Sequence, residues 1–413
     1  MLTRRSFLAT ASCAVGSALH AAEPAKKKLA IVTNVWTYRS HAWHMAERFL
    51  HGYPIKGKWH HPPFEVVAAY VDQKPEGDLS ADRAKEFGFT IYPTVEEALR
   101  RGGEKLAVDA ALVIGEHGNY PKNEFGQIQY PRYQYFKKIT DIYKKDGKTA
   151  PIFNDKHLSW KFEWAKEMVD RSRELKFGLC AGSSLPVTWR MPAIDMPFGA
   201  DIEEAMCVAF GGLDVYDFHA LETIQCMVER RKGGETGVAA VQAYRGDAVW
   251  KNLAAGKWGN GLFETCLARS QTLVQAPTLS HRYPTAAQMK QWVKDPVAYR
   301  IEYADGLKAT MLLLNGLVQD FTFAAKLKGE KDLLSTLFDL PPNPNVTYSA
   351  ALMSKAEETF VTDKSPTPIE RTLLTSGLTA AGLRSLAEGG KRRETPHLAV
   401  KYRVGKESQF ARE

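Results

Sequence analysis

The chain has 413 residues, 44% of them hydrophobic and 25% charged, which is ordinary globular composition with apolar side chains for two lobes rather than one. Its formal charge of +8 is scattered; no Lys/Arg block interleaved with aromatics occurs, which argues against a nucleic-acid partner. None of its five cysteines forms a C-x-x-C pair, so no structural zinc motif is present.

Thr3-Arg4-Arg5-Ser6-Phe7-Leu8 is a twin-arginine signature, and a charge-free, Ala-rich run to Ala22 follows it. Residues 1–22 therefore read as a signal peptide handled by the twin-arginine export machinery, with a periplasmic or other extracytoplasmic destination. The run is too short and too weakly apolar for a stable membrane span.

After a polar linker, Leu29–Thr33 reads as a strand and His41–Leu50 as a helix. The loop between them, from Asn34 to Ser40, contains no glycine and carries Trp36 and Tyr38. Phe64–Val71 is the second strand; Asp72 at its end is placed either to hold ribose hydroxyls or to start a turn. Ala81–Phe87 reads as helix, Thr90–Tyr92 as strand, Val95–Arg101 as helix and Asp109–Ile114 as a buried strand whose tip continues into Gly115, Glu116 and His117. Such alternation predicts an α/β fold with a doubly wound parallel sheet, in which ligands bind beyond the carboxyl ends of the strands.

A loop over residues 118–136 carries Tyr120, Phe125, Tyr130, Tyr133, Tyr135 and Phe136 around Arg132. It suits stacking and hydrogen bonding to a sugar-like ligand, and equally an ordered surface or a subunit contact, which leaves a homo-oligomer open. Pro151-Ile152-Phe153 then reads as a strand with Asn154, Asp155, Lys156 and His157 at its tip. A helix follows, then a strand from Leu179 to Gly182 that ends on Ser183-Ser184.

Prolines 186, 192 and 197 mark a crossing to a second lobe. There, residues 205–209, 238–250, 272–279, 299–303, 308–314 and 321–326 read as strands of a mostly antiparallel sheet, with Asp305-Gly306 as a hairpin turn. The stretch from Gly211 to Glu222 opens a helix that continues to Arg230, another helix over Pro368–Glu388 completes the lobe, and the tail over 406–413 is expected to be mobile. His41, His44 and Glu47, at i, i+3 and i+6, match no metalloenzyme pattern, so no metal site is expected.

The succession V-V-A-A-Y-V-D, K-E-F-G-F-T-I-Y-P-T-V-E-E-A-L, V-D-A-A-L-V-I and N-D-K-H resembles the Gfo/Idh/MocA family of sugar and cyclitol oxidoreductases. The resemblance implies a Rossmann-like nucleotide-binding domain over 28–185 and an α+β substrate domain with a mostly antiparallel sheet over 186–405. It also implies NAD or NADP as cofactor and a sugar or sugar-derived hydroxyl as substrate. Where the family has Glu-Lys-Pro, this chain has Asp155-Lys156-His157, so Lys156 is implied to be catalytic. On the family pattern G-G-x-x-x-D-x-x-x-H-x-x-D, His219 is the implied proton-transfer partner; Val215 stands where the family has an acid, and Asp214 and Asp217 are out of register. Thr33, Asn34, Asp72, Glu116, His117 and Asp155 are then expected at the cofactor, and Tyr120, Arg132, His157 and Asp217 at the substrate. The same apparatus can cleave a glycoside through a transient keto-sugar. The glycine-free first loop departs from G-x-G-x-x-G. It supports an alternative, a non-catalytic carbohydrate-binding or scaffold protein on a degenerate Rossmann fold.

Overall fold

The computed structural model describes residues 25–275, 283–341 and 346–412; the expected signal peptide over 1–22 lies outside the described residues. The first sheet has six strands, all parallel: β1 (Lys27–Thr33), β2 (Phe64–Val71), β3 (Thr90–Ile91), β4 (Ala110–Ile114), β5 (Ile152–Asp155) and β6 (Leu179–Gly182). Their spatial order is β3-β2-β1-β4-β5-β6, the doubly wound order whose direction reverses between β1 and β4. β1 from Leu29 onward and all of β4 are buried, because helices cover both faces of the sheet; this is why they read as unbroken apolar runs.

On one face pack the helices Val95–Arg100, Arg132–Asp146 and Phe162–Leu175, through side chains such as Leu99, Ile139 and Met168. The other face is covered by Met45 and Phe49 from the first helical segment and by Leu352, Met353 and Phe360 from a helix at Tyr348–Thr362. The chain thus returns from its C-terminal half to complete the core of the first sheet. The helix Ile369–Ala387 lies between the helices Phe162–Leu175 and Tyr216–Val228 and joins the two halves. Gly382 permits this approach: a Cβ there would sit 2.4 Å from the Tyr299 ring.

The second sheet has eight strands. Ile202–Ala209 and Lys308–Leu313 run parallel, and the other pairings are antiparallel. The α/β plus antiparallel α+β architecture expected from the sequence is the one observed. Two details differ. The strand expected over 238–250 ends at Arg245, where Gly246 takes φ +62 and a helix Asp247–Ala254 begins. The strand expected over 272–279 has no strand in its described part, and residues 276–279 lie outside the described residues. The tail, expected to be mobile, is packed: Phe410 is 4% exposed, with the Arg190 guanidinium 4.1 Å from its ring centroid. Among the described residues no helix is long and apolar enough to cross a membrane.

Candidate active site

The tips of β4, β5 and β6 meet the start of the helix Tyr216–Val228 around a cavity of about 220 Å³. Lys156, directly after β5, lines it; a φ of +58 at this non-glycine residue turns the chain so that the side chain enters the cleft. Nζ is 3.5 Å from Glu116 Oε1, and both residues are almost fully buried. Arg132 donates to the other Glu116 oxygen. Burial alone would raise the Glu116 pKa; the cations Lys156 and Arg132 outweigh it and hold the carboxyl well below its usual range.

His219 comes to the same cavity from the second half of the chain. Its Nδ1 is 2.5 Å from Ser183 Oγ, which leaves Nε2 without a protein partner among the described residues. Desolvation pushes the His219 pKa well below 6.5, with Lys156 and His41 adding to the shift, so the imidazole is neutral at neutral pH and its Nε2 is open to a proton. Glu222, one turn along the same helix, accepts the Ser183 amide at 3.1 Å and the hydroxyls of Thr372 and Thr375. Gly182 makes this possible: with φ +124, a Cβ would lie 2.7 Å from Glu222 Oε2.

The third wall contains His41, whose Nδ1 is 2.6 Å from Asp155 Oδ2. Asp155, expected at the cofactor, instead orients this imidazole. His41 stacks edge-on against His44 and His117, with ring centroids 5.7 and 5.0 Å away. The sequence pattern assigns no role to His41, His44 or Ser183; the helical spacing of His41 and His44, which turns both toward the strand tips, is the signal it carries. Among the described residues no group of His, Cys, Asp and Glu is placed to hold a metal.

None of the four expected substrate ligands lines the cavity. Arg132 is 1% exposed, bound to Glu116 and to His157 Nε2 at 3.0 Å, so it acts beneath the site. His157 accepts that bond, because a guanidinium has only donors. Asp217 is buried under Tyr299, whose hydroxyl donates to it at 3.0 Å; desolvation raises its pKa to about 6. The fourth, Tyr120, donates to Asp72 at 2.7 Å, outside the cavity.

Of the remaining expected cofactor residues, His117 also lines the cavity, while Thr33, Asn34 and Asp72 lie at the crevice above β1, each engaged by other protein groups. Thr33 Oγ1 donates to the carbonyls of Val35 and Ile114. Asn34 donates to the His117 carbonyl at 3.1 Å and accepts from Tyr135. Asp72 holds Tyr70 and Tyr120, and Gln73 is bonded to both backbone groups of Asn119. The loops after β2 and β4 are thereby joined across the tip of β1. The start of the first helix, where a pyrophosphate would rest, is closed by Ser40: its Oγ accepts from Thr37 and Trp43, and its carbonyl from His44. Trp36 is turned into the core, fully buried and stacked on Phe89. As these loops stand, the residues do not fit a dinucleotide laid along the crevice.

No protein-family model matches the chain, and no curated protein matches its sequence significantly. Solved structures do match. GenD2 from gentamicin A biosynthesis, solved with NAD, aligns with TM-score 0.56 at 12% identity over 90% of this chain and 97% of its own. Myo-inositol dehydrogenase from Lactobacillus casei, solved with NAD(H) and myo-inositol, gives 0.54 at 12% identity over 89% and 96%. Scyllo-inositol dehydrogenase from the same organism gives 0.53 at 11% over 89% and 98%. At such identities the likeness is one of fold, the fold that this chain shares with GenD2 and the inositol dehydrogenases.

Proposed function

We propose that the chain is an enzyme acting on a sugar-like substrate, and that a monosaccharide- or cyclitol-sized polyol binds in the cavity shared by Lys156 and His219. The carrying observation is their convergence from distant parts of the chain on one small, walled space. Neutral His219 takes the proton of a substrate hydroxyl through Nε2, Ser183 fixing the ring. The Nζ–H groups of Lys156 hold the oxygen as charge develops on it, with Glu116 and Arg132 keeping the amine in place. The fold shared with GenD2 and the inositol dehydrogenases supports a substrate of this class. Lys156→Ala tests the reading: ligand binding and turnover should fall while the fold persists, and unchanged turnover would remove Lys156 from the mechanism.

The second reading is oxidation of that hydroxyl with NAD or NADP as hydride acceptor. It is favoured by the fold shared with GenD2 and myo-inositol dehydrogenase, both solved with NAD, and by the place of Asp72 at the end of β2, where its carboxylate now holds Tyr70 and Tyr120. Mass spectrometry of the denatured protein tests it, through released dinucleotide. Export is a separate proposal, resting on Arg4 and Arg5. Replacing both by Lys should retain the protein in the cytoplasm, and continued export would dismiss the twin-arginine assignment.

A further inference from the structure

Four histidines line the cavity, and His41 is one of the three that the proposed hydroxyl chemistry does not use. His41 stands on the segment after β1, in the first half of the chain, and its Nδ1 is held by the buried carboxylate of Asp155 at 2.6 Å. Nε2 has no protein partner among the described residues. His219 enters from the second half with Nδ1 likewise occupied, by Ser183, and Nε2 free. Each ring is therefore fixed through one nitrogen and offers the other. His41 is close enough to His219 to depress its pKa. Lys156 lines the same space, its Nζ available beyond the single 3.5 Å contact with Glu116. Beside this, the crevice over β1 is bridged by Asp72–Tyr120 and Gln73–Asn119, and Ser40 caps the adjoining helix.

We infer that His41 and His219 form a two-base proton-transfer site that works on a carbonyl-bearing sugar or cyclitol without a dinucleotide. The inference rests on the polyol-pocket reading and deepens it by naming the reaction class. One imidazole removes the proton from the carbon next to the carbonyl. The electron pair of that C–H bond becomes the carbon–carbon double bond of an enediolate, whose oxygen Lys156 Nζ holds. The other imidazole, protonated, returns a proton to the same carbon from the opposite side, and the enediolate collapses to the carbonyl. The net change is inversion at one carbon; no oxidant or reductant is consumed, and the imidazoles exchange protons with solvent to reset. Asp155 acts on His41 as a positioning residue, fixing its tautomer.

The test follows solvent deuterium into D-fructose, D-glucuronate and 2-keto-myo-inositol by NMR, with no cofactor added, alongside direct titration of the same three compounds. The expected result is binding, with wash-in at the carbon beside the carbonyl of at least one compound. Wash-in should slow roughly a hundredfold in His41→Gln and in His219→Gln; His41→Asn serves if the Gln variant does not fold. Asp155→Asn should move the pH profile of the exchange. Binding without exchange in any compound, exchange indifferent to His41, or exchange that starts only when NAD is added would overturn the two-base site while leaving the polyol pocket intact. Failure of all three compounds to bind would overturn the pocket reading and this inference with it.

Discussion

Gln73 and Asn119 grip each other across the tip of β1: Nε2 of Gln73 donates to the Asn119 carbonyl at 3.2 Å, and its Oε1 accepts the Asn119 amide at 2.9 Å. In a doubly wound sheet this is the switch point, where a dinucleotide would cross. The shared fold and the occupied crevice thus point in different directions, and the chemistry follows the cavity deeper in the cleft.

The clasp is exposed, so each of its hydrogen bonds contributes only about 1 kcal/mol. Tyr120→Phe combined with Gln73→Ala should therefore fold and melt close to the parent. It should gain no dinucleotide affinity in equilibrium dialysis, because Ser40 still caps the helix and the loop still lacks glycine. Micromolar NAD binding by the double variant would show that the clasp alone shuts the crevice.

Glu116 neutralises two cations in a buried setting. Glu116→Gln leaves Lys156 and Arg132 without a carboxylate, and breaking a buried pair in this way costs about 3–5 kcal/mol. Urea denaturation measures it; a change under about 1 kcal/mol would mean that water reaches this triad freely.

Gly182→Ala combines a left-handed backbone with a Cβ placed 2.7 Å from Glu222 Oε2 and 2.8 Å from Thr372 Oγ1. A loss of about 1–3 kcal/mol is expected, with ligand affinity falling too, since Ser183 and hence His219 are positioned through Glu222. Normal affinity in a folded Gly182→Ala protein would separate Glu222 from the site.

Burial, then the neighbouring His41 and His117, lower the His44 pKa from 6.5 to about 3. The unfolded chain therefore binds a proton at His44 below pH 6.5 that the native protein refuses, so this residue lowers native stability as pH falls from 6.5 toward 3. Wild type should lose ground against His44→Gln by about 1.4 kcal/mol per pH unit in that range. Paired chemical denaturation at pH 7 and pH 5 reads the difference, and a constant gap would place a charged His44 in the native state.

Much of the first sheet was legible because its strands are short apolar runs with helices between them; Phe64–Val71 has the bounds its sequence suggests. The first turn of the helix Asp247–Ala254, up to Trp250, reads as strand because its apolar residues continue the run before Gly246, and only the positive φ there separates the two. The helix Tyr348–Thr362 went unseen, since Ala350, Ala351 and Ala356 make its buried face look weakly apolar. Motif position singles out Lys156 and His219, and both line the cavity. Arg132 was placed at the ligand because an Arg among aromatics suits a sugar, yet it is spent on Glu116. The role of His41 depends on a partner 114 positions away, which no local pattern signals.

The most direct measurement is calorimetric titration of myo-inositol, D-fructose and D-glucuronate into the wild type, Lys156→Ala and His219→Ala. Saturable binding of at least one compound to the wild type is expected, weakened at least roughly tenfold, or about 1.4 kcal/mol, by either substitution. Binding of equal strength in all three proteins, or none in the wild type, would contradict a polyol site built by these two residues.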